Sequence, residues 1–265
     1  MAVNGEPVPA FDTANQGKRW LYLKLKALTG YSSPWGCMTG IRPAKLIHAM
    51  AEEGLSESCI LQKLKDFYCV SEGKALLALE TAGVQAPFLA ERKEKTVDWY
   101  ANLPFCPSRC LYCSFTSHSI GKYKKSVDAY LDVMEQELSA ASELLGRMSA
   151  HSESLYLGGG TPTSLNEKQF ERYICMFSRY IDLTGLKEFS LEAGRPDSIT
   201  PAKLEAAARA GVTRISINPQ TMNDSTLERI GRAHTAGQVV QAFRMAREAG
   251  FRNINMDVIA GLPYE

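Results

Sequence analysis

The sequence has no surplus of charge. Its 30 Lys and Arg are matched by 29 Asp and Glu, for a net charge of +1. That balance excludes nucleic-acid binding driven by net charge. Long apolar runs are also missing: nothing approaches the roughly 20 residues that span a bilayer, so no membrane partner is expected. Residues 1–17 are polar and lack the apolar centre of a secretory signal. Cysteine is too sparse and too uneven for a disulfide framework, with seven thiols in 265 residues, three of them close together. Such usage suits a reducing compartment and a cytoplasmic location. Cys37, Cys59, Cys69 and Cys175 are scattered and read as small apolar residues, Cys59 and Cys175 on expected helices. With 45% hydrophobic residues, the chain can bury the core of one large domain, or of one domain and a smaller one.

Two textures divide what is there. Residues 1–95 read as a mainly helical N-terminal region, with 1–17 expected to be loose. Apolar residues at helical spacing mark helices over 18–29, 44–53, 56–68 and 72–82, the last stopped by Gly83. Two prolines and two glycines shape the loop Pro34-Trp35-Gly36-Cys37-Met38-Thr39-Gly40-Ile41-Arg42-Pro43. Arg42 and Lys45 read either as solvated surface or as contacts to an anionic partner. The charged run 91–95 reads as a link. From residue 96 strands alternate with helices: strands over 97–103, 154–157, 188–191, 212–217 and 253–259, helices over 123–145, 167–181, 201–210, 224–230 and 238–249. Asn166 with Gln169 resembles a capping box, and Thr200-Pro201 is a cap followed by proline in the first turn. Strands separated by helices imply parallel pairing through right-handed crossovers. The fold class is therefore α/β, as a barrel or an open parallel sheet. Chemistry then belongs at the C-terminal ends of the strands.

Just past the first strand stand three thiols, Cys106, Cys110 and Cys113, at C-x3-C-x2-C spacing. Thiolates hold iron–sulfur clusters, and three are one short of closing a [4Fe-4S] cluster, which would leave one iron open. A zinc site with His118 as fourth ligand is the second reading. Plain buried thiols are the third. Other strand ends carry polar residues. Gly158-Gly159-Gly160-Thr161 follows the second strand; glycines admit close approach of a ligand, or simply make a tight turn. Glu192, at the third strand end, can accept bonds from ammonium or hydroxyl groups, or pair with Arg195. Gln220 offers donor and acceptor after the fourth strand, for a ligand or for closing a loop. Arg232 can clasp a carboxylate bidentately. Asp257 falls inside the apolar fifth strand, where a buried charge needs a partner.

The stretch Cys106 to Cys113 resembles the signature of the radical S-adenosylmethionine (SAM) superfamily. That resemblance implies a partial parallel (β/α)6 barrel over 96–265, preceded by the helical unit 1–95. It also implies a [4Fe-4S] cluster on Cys106, Cys110 and Cys113, whose open iron binds SAM. Reduction would then cleave SAM to methionine and a 5′-deoxyadenosyl radical. Tyr112 matches the aromatic position near the adenine, Gly159, Gly160 and Thr161 the segment at the methionine end, and Glu192, Gln220, Arg232 and Asp257 the pocket lining. Tyr100-Ala-Asn-Leu-Pro-Phe-Cys106 is similar to the lead-in of the oxygen-independent coproporphyrinogen III oxidase group, where Tyr100 matches a SAM-site tyrosine, the expected catalytic residue. The segments Trp35 to Pro43, Glu192 to Asp197, Ile217 to Asn223 and Gly231 to Thr235 look like the HemZ-type branch of that group.

The resemblance implies oxidative decarboxylation of coproporphyrinogen III to protoporphyrinogen IX, with a tetrapyrrole substrate and an electron donor such as flavodoxin or ferredoxin. Lys122, Lys124, Lys125 and Arg195 are candidates for the substrate's carboxylates. Phe115 stands where characterised members of the group carry a fourth cysteine. Cys113-Ser114-Phe115 is also similar to the haem-chaperone branch, which makes a haem-binding protein with His118 or His234 as axial ligand the alternative. A radical SAM methyltransferase acting on a tetrapyrrole is a third. Five strands are counted where this core has six, so the chain is expected to be a fragment. Ile254, Met256, Val258 and Ile259 would then form an apolar sheet edge prone to aggregation.

Overall fold

The computed structural model describes residues 2–3, 6–40, 42–91, 94–263 and 265. The chain divides into two compact units, Met1–Arg92 and Lys93–Glu265. In the first, α1 (Ala14–Thr29), α2 (Pro43–Glu52), α3 (Glu57–Asp66) and α4 (Glu72–Ala90) follow one another. Residues 1–17 are not loose throughout. Thr13 and Gln16 form a reciprocal capping box that starts α1 at Ala14, and Ala2–Val3 pairs antiparallel with Glu6–Pro7. Helix α4 also outruns its expected stop. It passes Gly83 and Pro87, because a mid-helix glycine costs only about 1 kcal/mol and its small-residue stripe Ala75, Ala78 and Ala82 is already docked in the core. That stripe shares its core with Ile47 and Met50 of α2 and Ile60 and Leu64 of α3. Arg42 and Lys45 are exposed.

The second unit is built on five parallel strands in chain order: β1 (Thr96–Leu103), β2 (His151–Gly159), β3 (Glu188–Glu192), β4 (Arg214–Ser216) and β5 (Asn253–Asn255). The chain steps one strand sideways each time and never reverses. This is the winding of a barrel wall rather than of a doubly wound sheet with a switch point. The crossovers are α5 (Val127–Met148), α6 (Glu167–Tyr180), α7 (Pro201–Arg209), and the pair α8 (Asp224–Arg229) and α9 (Ala236–Glu248). Asn166 caps α6 by accepting from the Gln169 amide. The Gln169 side chain turns instead to Asp128, so the expected capping box is only half formed.

Alternation assigns the two sheet faces. Leu155 and Leu157, Phe189 and Leu191, and Ile215 and Ile217 point to the helices. There they join Leu131 and Leu138 of α5 and Phe170, Tyr173, Ile174 and Phe177 of α6 in one buried core. Each such side chain contributes about 1.5–3 kcal/mol when fully buried. The opposite face is polar. Its registered row runs Tyr100, Tyr156, Ser190, Arg214, Asn253 across all five strands. Ser154 donates to Asp98, Ser190 donates to Glu188, and Arg214 pairs with Glu188 at 3.5 Å.

The last strand is shorter than its apolar run suggested. Pairing stops at Asn255 and resumes only as a single bridge between Gln220 and Val258. The chain turns at Gln220, whose φ of 66° lies in the left-handed region. Asp257 is therefore not a buried strand charge; it is exposed beyond the strand. Strand β5 ends the sheet order, and Val258 is 71% exposed while Ile254 packs on the core.

Candidate cluster and cofactor site

Leaving β1, the chain forms a two-residue bridge, Phe105–Cys106 against His118–Ser119, which closes the base of the cysteine loop. The loop is seated on a segment far along the chain. The Leu111 amide donates to the Ile230 carbonyl at 3.0 Å, and the Ser108 hydroxyl donates to the Gly231 carbonyl at 3.3 Å. Gly231 has a φ of 77°, and a Cβ there would stand 3.3 Å from the Arg109 carbonyl oxygen, so the seat needs glycine. A turn bond from the Cys113 amide to the Cys110 carbonyl sets the spacing of the last two thiols. All three cysteines are half-buried and free.

The thiols line one cleft at the C-terminal ends of the strands. Tyr112, Gly159, Gly160, Thr161 and Glu192 line it with them, as do Gln220, Arg232 and Asp257. Tyr100 stands outside that lining, 63% exposed on β1. It connects to the cleft through Tyr156, on which its ring stacks at 5.8 Å between centroids. The Tyr156 hydroxyl donates to Glu192 at 3.1 Å. The Glu192 carboxylate also accepts from the Asn218 side chain at 3.5 Å. Burial pushes the Glu192 carboxyl above its ordinary pKa, against the opposing pull of the Tyr156 bond.

The glycine run is demanded by the chain's own packing. A Cβ on Gly160 would lie 2.6 Å from the Phe105 carbonyl oxygen, and one on Gly158 would lie 2.6 Å from the Tyr156 ring. The amides of Gly160 and Thr161 are spent on the carbonyls of Leu103 and Phe105 at 2.8 and 2.7 Å. Here the tight-turn reading accounts for the glycines. The Thr161 hydroxyl sits 3.5 Å from the Cys106 sulfur.

Arg232 is occupied from within. Its Nη1 donates to the carbonyls of Gly194 and Asn218 at 3.1 and 2.9 Å, and its Nε and Nη2 donate to the Tyr112 hydroxyl at 3.2 and 3.0 Å. It ties the loops after β3 and β4 to the cysteine loop. Arg195, expected beside Glu192 or at the mouth for substrate, does neither. It is 3% exposed and forks onto Asp197 at 3.1 and 3.4 Å. Asp257 accepts from the Asn255 side chain at 2.8 Å, and its amide donates to the Asn218 side chain at 3.4 Å.

The two candidate axial histidines part company. His234 is buried with its Nε2 on the Pro219 carbonyl at 3.2 Å, so it does not present itself as a haem ligand; burial, then Arg232, holds its pKa below the ordinary value. His118 is exposed beside Tyr123. Strand alternation could have found Tyr156, which stands two residues before Gly158 on the polar face. The contacts of Ser108 with Arg195 and Gly231 span 87 and 123 residues and had no sequence signal.

The donor set decides between the metal readings. A zinc ion, with bonds of about 2.3 Å, gathers its sulfurs to within roughly 4 Å of one another. Among the described residues no three His, Cys, Asp or Glu side chains converge in that way. Three soft thiols spaced around a cleft, with hydrogen-bond donors from Thr161 and Arg195 beside two of the sulfurs, fit a larger iron–sulfur cluster. Among the described residues no helix is long and apolar enough to cross a membrane.

Residues 103–265 match the family model described as the radical SAM superfamily. The oxygen-independent coproporphyrinogen-III oxidase-like protein HemZ of Bacillus subtilis is 35% identical over 260 residues, 97% of this chain and 52% of that protein. The heme chaperone HemW of B. subtilis is 39% identical over 165 residues, 62% of this chain and 42% of the chaperone. The solved structure of coproporphyrinogen III oxidase HemN from Escherichia coli, described as a radical SAM enzyme, superposes with a TM-score of 0.58 at 30% identity. The match covers 70% of this chain and 41% of that one. The chain thus spans about half the length of the curated relatives it matches. A [4Fe-4S] cluster and SAM are the cofactors of this superfamily, and three thiols line the cleft. The chain belongs to the radical SAM superfamily and, within it, to the HemN/HemZ group.

Proposed function

We propose that the protein acts in the cytoplasm on a tetrapyrrole, oxidatively decarboxylating the propionates of coproporphyrinogen III to the vinyl groups of protoporphyrinogen IX. The observation that carries this reading is the reach of the likeness. It runs over 260 residues with HemZ, named oxidase-like, across both compact units; the E. coli oxidase matches 184 residues and the HemW chaperones 164–190, so it is HemZ alone that supports the reading. When bound, the reduced cluster and SAM supply a 5′-deoxyadenosyl radical. A propionate would lose one β-hydrogen atom to it, then carbon dioxide and one electron, leaving a vinyl group.

The chain's own part is to hold and orient. Cys106, Cys110 and Cys113 hold the cluster. Tyr112, Gly159, Gly160, Thr161, Glu192, Gln220, Arg232 and Asp257 line the same cleft and would border SAM there. Tyr100 bears on the cofactor from the flank, through its stack on Tyr156. Lys122, Lys124 and Lys125, exposed ahead of α5, remain candidates for substrate carboxylates. Arg195 does not, because it is buried on Asp197. The electron that reduces the cluster comes from a donor such as flavodoxin or ferredoxin, and the electron released on decarboxylation passes to a separate one-electron acceptor.

The test is an anaerobic assay of the reconstituted protein with reductant, SAM and coproporphyrinogen III, following 5′-deoxyadenosine and porphyrinogen products. Vinyl products in step with SAM cleavage support the reading. SAM cleavage without porphyrinogen turnover refutes the substrate. A second reading, haem delivery, is favoured by Phe115, which is exposed and lines the cleft where characterised oxidases carry a fourth cysteine. Haem titration separates the two: a Soret shift that is lost in His118→Ala supports delivery, and an unchanged spectrum removes it.

A further inference from the structure

We propose that Arg195 is a positioning residue that sets how readily the iron–sulfur cluster is reduced. This rests on the cluster, not on the substrate. Arg195 lies just past β3 and is buried, yet it reaches the cysteine loop 85 residues earlier, where its Nη1 stands 3.8 Å from the Cys110 sulfur. Nη1 also donates to the Ser108 carbonyl at 3.3 Å, and both terminal nitrogens donate to the Ser108 hydroxyl at 3.2 Å. On its other side the guanidinium forks onto Asp197, with Nε at 3.1 Å and Nη2 at 3.4 Å.

The arrangement has a direction. The carboxylate holds the fork from behind, and Nη1, shared between Ser108 and Cys110, brings the cation to a cluster-ligating sulfur. Reduction adds one negative charge to the cluster. A donor to the sulfur and a nearby buried cation both favour that added charge, and such contacts are among the levers that set cluster potentials. Ser108 gives the contact its rigidity. Its hydroxyl accepts from Arg195 and donates to the Gly231 carbonyl, so the loop and the cation are fixed to one frame. Arg195 therefore acts through Cys110 and touches no substrate.

The sign of the effect is what a merely structural role does not supply. Arg195→Gln removes the cation and leaves the Asp197 carboxylate near the cluster, so reduction becomes harder. Asp197→Asn keeps the cation and removes its counter-charge, so reduction becomes easier. Redox titration of the anaerobically reconstituted chain, without SAM or porphyrinogen, reads this directly from the EPR signal of the reduced cluster. In Arg195→Gln the ratio of reduced to oxidised cluster at fixed potential is expected to fall at least tenfold, equivalent to 59 mV for a one-electron couple. In Asp197→Asn it is expected to rise, and Arg195→Lys should fall between wild type and Arg195→Gln. Shifts in the same direction for Gln and Asn, or shifts under twofold in both, overturn the proposal. If Arg195→Gln assembles no cluster, Asp197→Asn decides alone: a rise supports the proposal and no change overturns it. None of these outcomes depends on porphyrinogen turnover, so loss of the substrate reading leaves the test intact.

Discussion

Replacing Arg232 with methionine should loosen the whole strand-end face before it affects any chemistry. The side chain fits the same space but loses four donor contacts: two to the carbonyls of Gly194 and Asn218 and two to the Tyr112 hydroxyl. A hydrogen bond from a charged donor contributes about 1.5–3 kcal/mol, and a buried acceptor left unpaired costs about 1–3 kcal/mol. The two contacts to Tyr112 share one oxygen and count once, and methionine is spared the desolvation of a guanidinium. A net loss of about 3–4 kcal/mol follows from those magnitudes, a large share of the ~5–15 kcal/mol by which domains are stable. Tyr112→Phe removes only the half-exposed hydroxyl and should cost about 1 kcal/mol. Urea unfolding of the cluster-free chain, followed by circular dichroism, measures both, with an unchanged slope confirming that the same surface unfolds. In the double variant the phenylalanine should add nothing further, because its partner is already gone. Arg232→Met within 1 kcal/mol of wild type, or full additivity of the two substitutions, would refute the account of Arg232 as the tie between three loops.

Three other outcomes are expected. Gly160→Ala should destabilise the chain by about 1–3 kcal/mol in the same urea assay, since its Cβ must displace the Phe105 carbonyl; neutrality would mean that the end of β1 yields freely. Phe170→Ala should cost about 3–5 kcal/mol, because the ring is wholly buried among α6 and sheet residues; a loss under 2 kcal/mol would show that the core collapses around the gap. His234 is held neutral, its folded pKa below the unfolded value. Stability from this group is therefore full above the ordinary histidine pKa of about 6.5 and declines as pH falls below it. Urea midpoints measured between pH 7.5 and pH 5 should fall less steeply for His234→Asn than for wild type, and equal slopes would assign the acid sensitivity elsewhere.

What the residue pattern disclosed was the local part of this design. Alternation in Leu155 and Leu157 or Phe189 and Leu191 located the strands, and the strand-end rule led from them to Glu192 and Gln220, which the fold brings to one cleft with the thiols. Where sequence reading failed, distant packing overrode local preference. Gly83 read as a helix stop, but α4 is anchored by its alanine stripe and continues. The apolar run after Ile254 read as strand, but the turn at Gln220 leaves it almost unpaired. Arg195 read as a mouth residue because arginine beside a strand end suits carboxylates. Asp197 stands only two residues away, but its other partner, Ser108, became visible only once the cysteine loop was folded against it.

The seat of that loop also has a consequence for the order of assembly. The cysteines emerge early in the core, yet their loop is anchored by Ile230 and Gly231, with the Ser108 to Gly231 contact spanning 123 residues. Closing so long a segment carries an entropy cost that is recovered only when the intervening strands have stacked. On a ribosome the thiols are therefore exposed before their platform exists, and the loop takes its final shape only after α8 has been made. Iron loading is then a late, post-stacking event. A variant that slows closure, at Gly231 for example, should accumulate as folded wall with an unfilled loop, its cysteines open to oxidation in the interval.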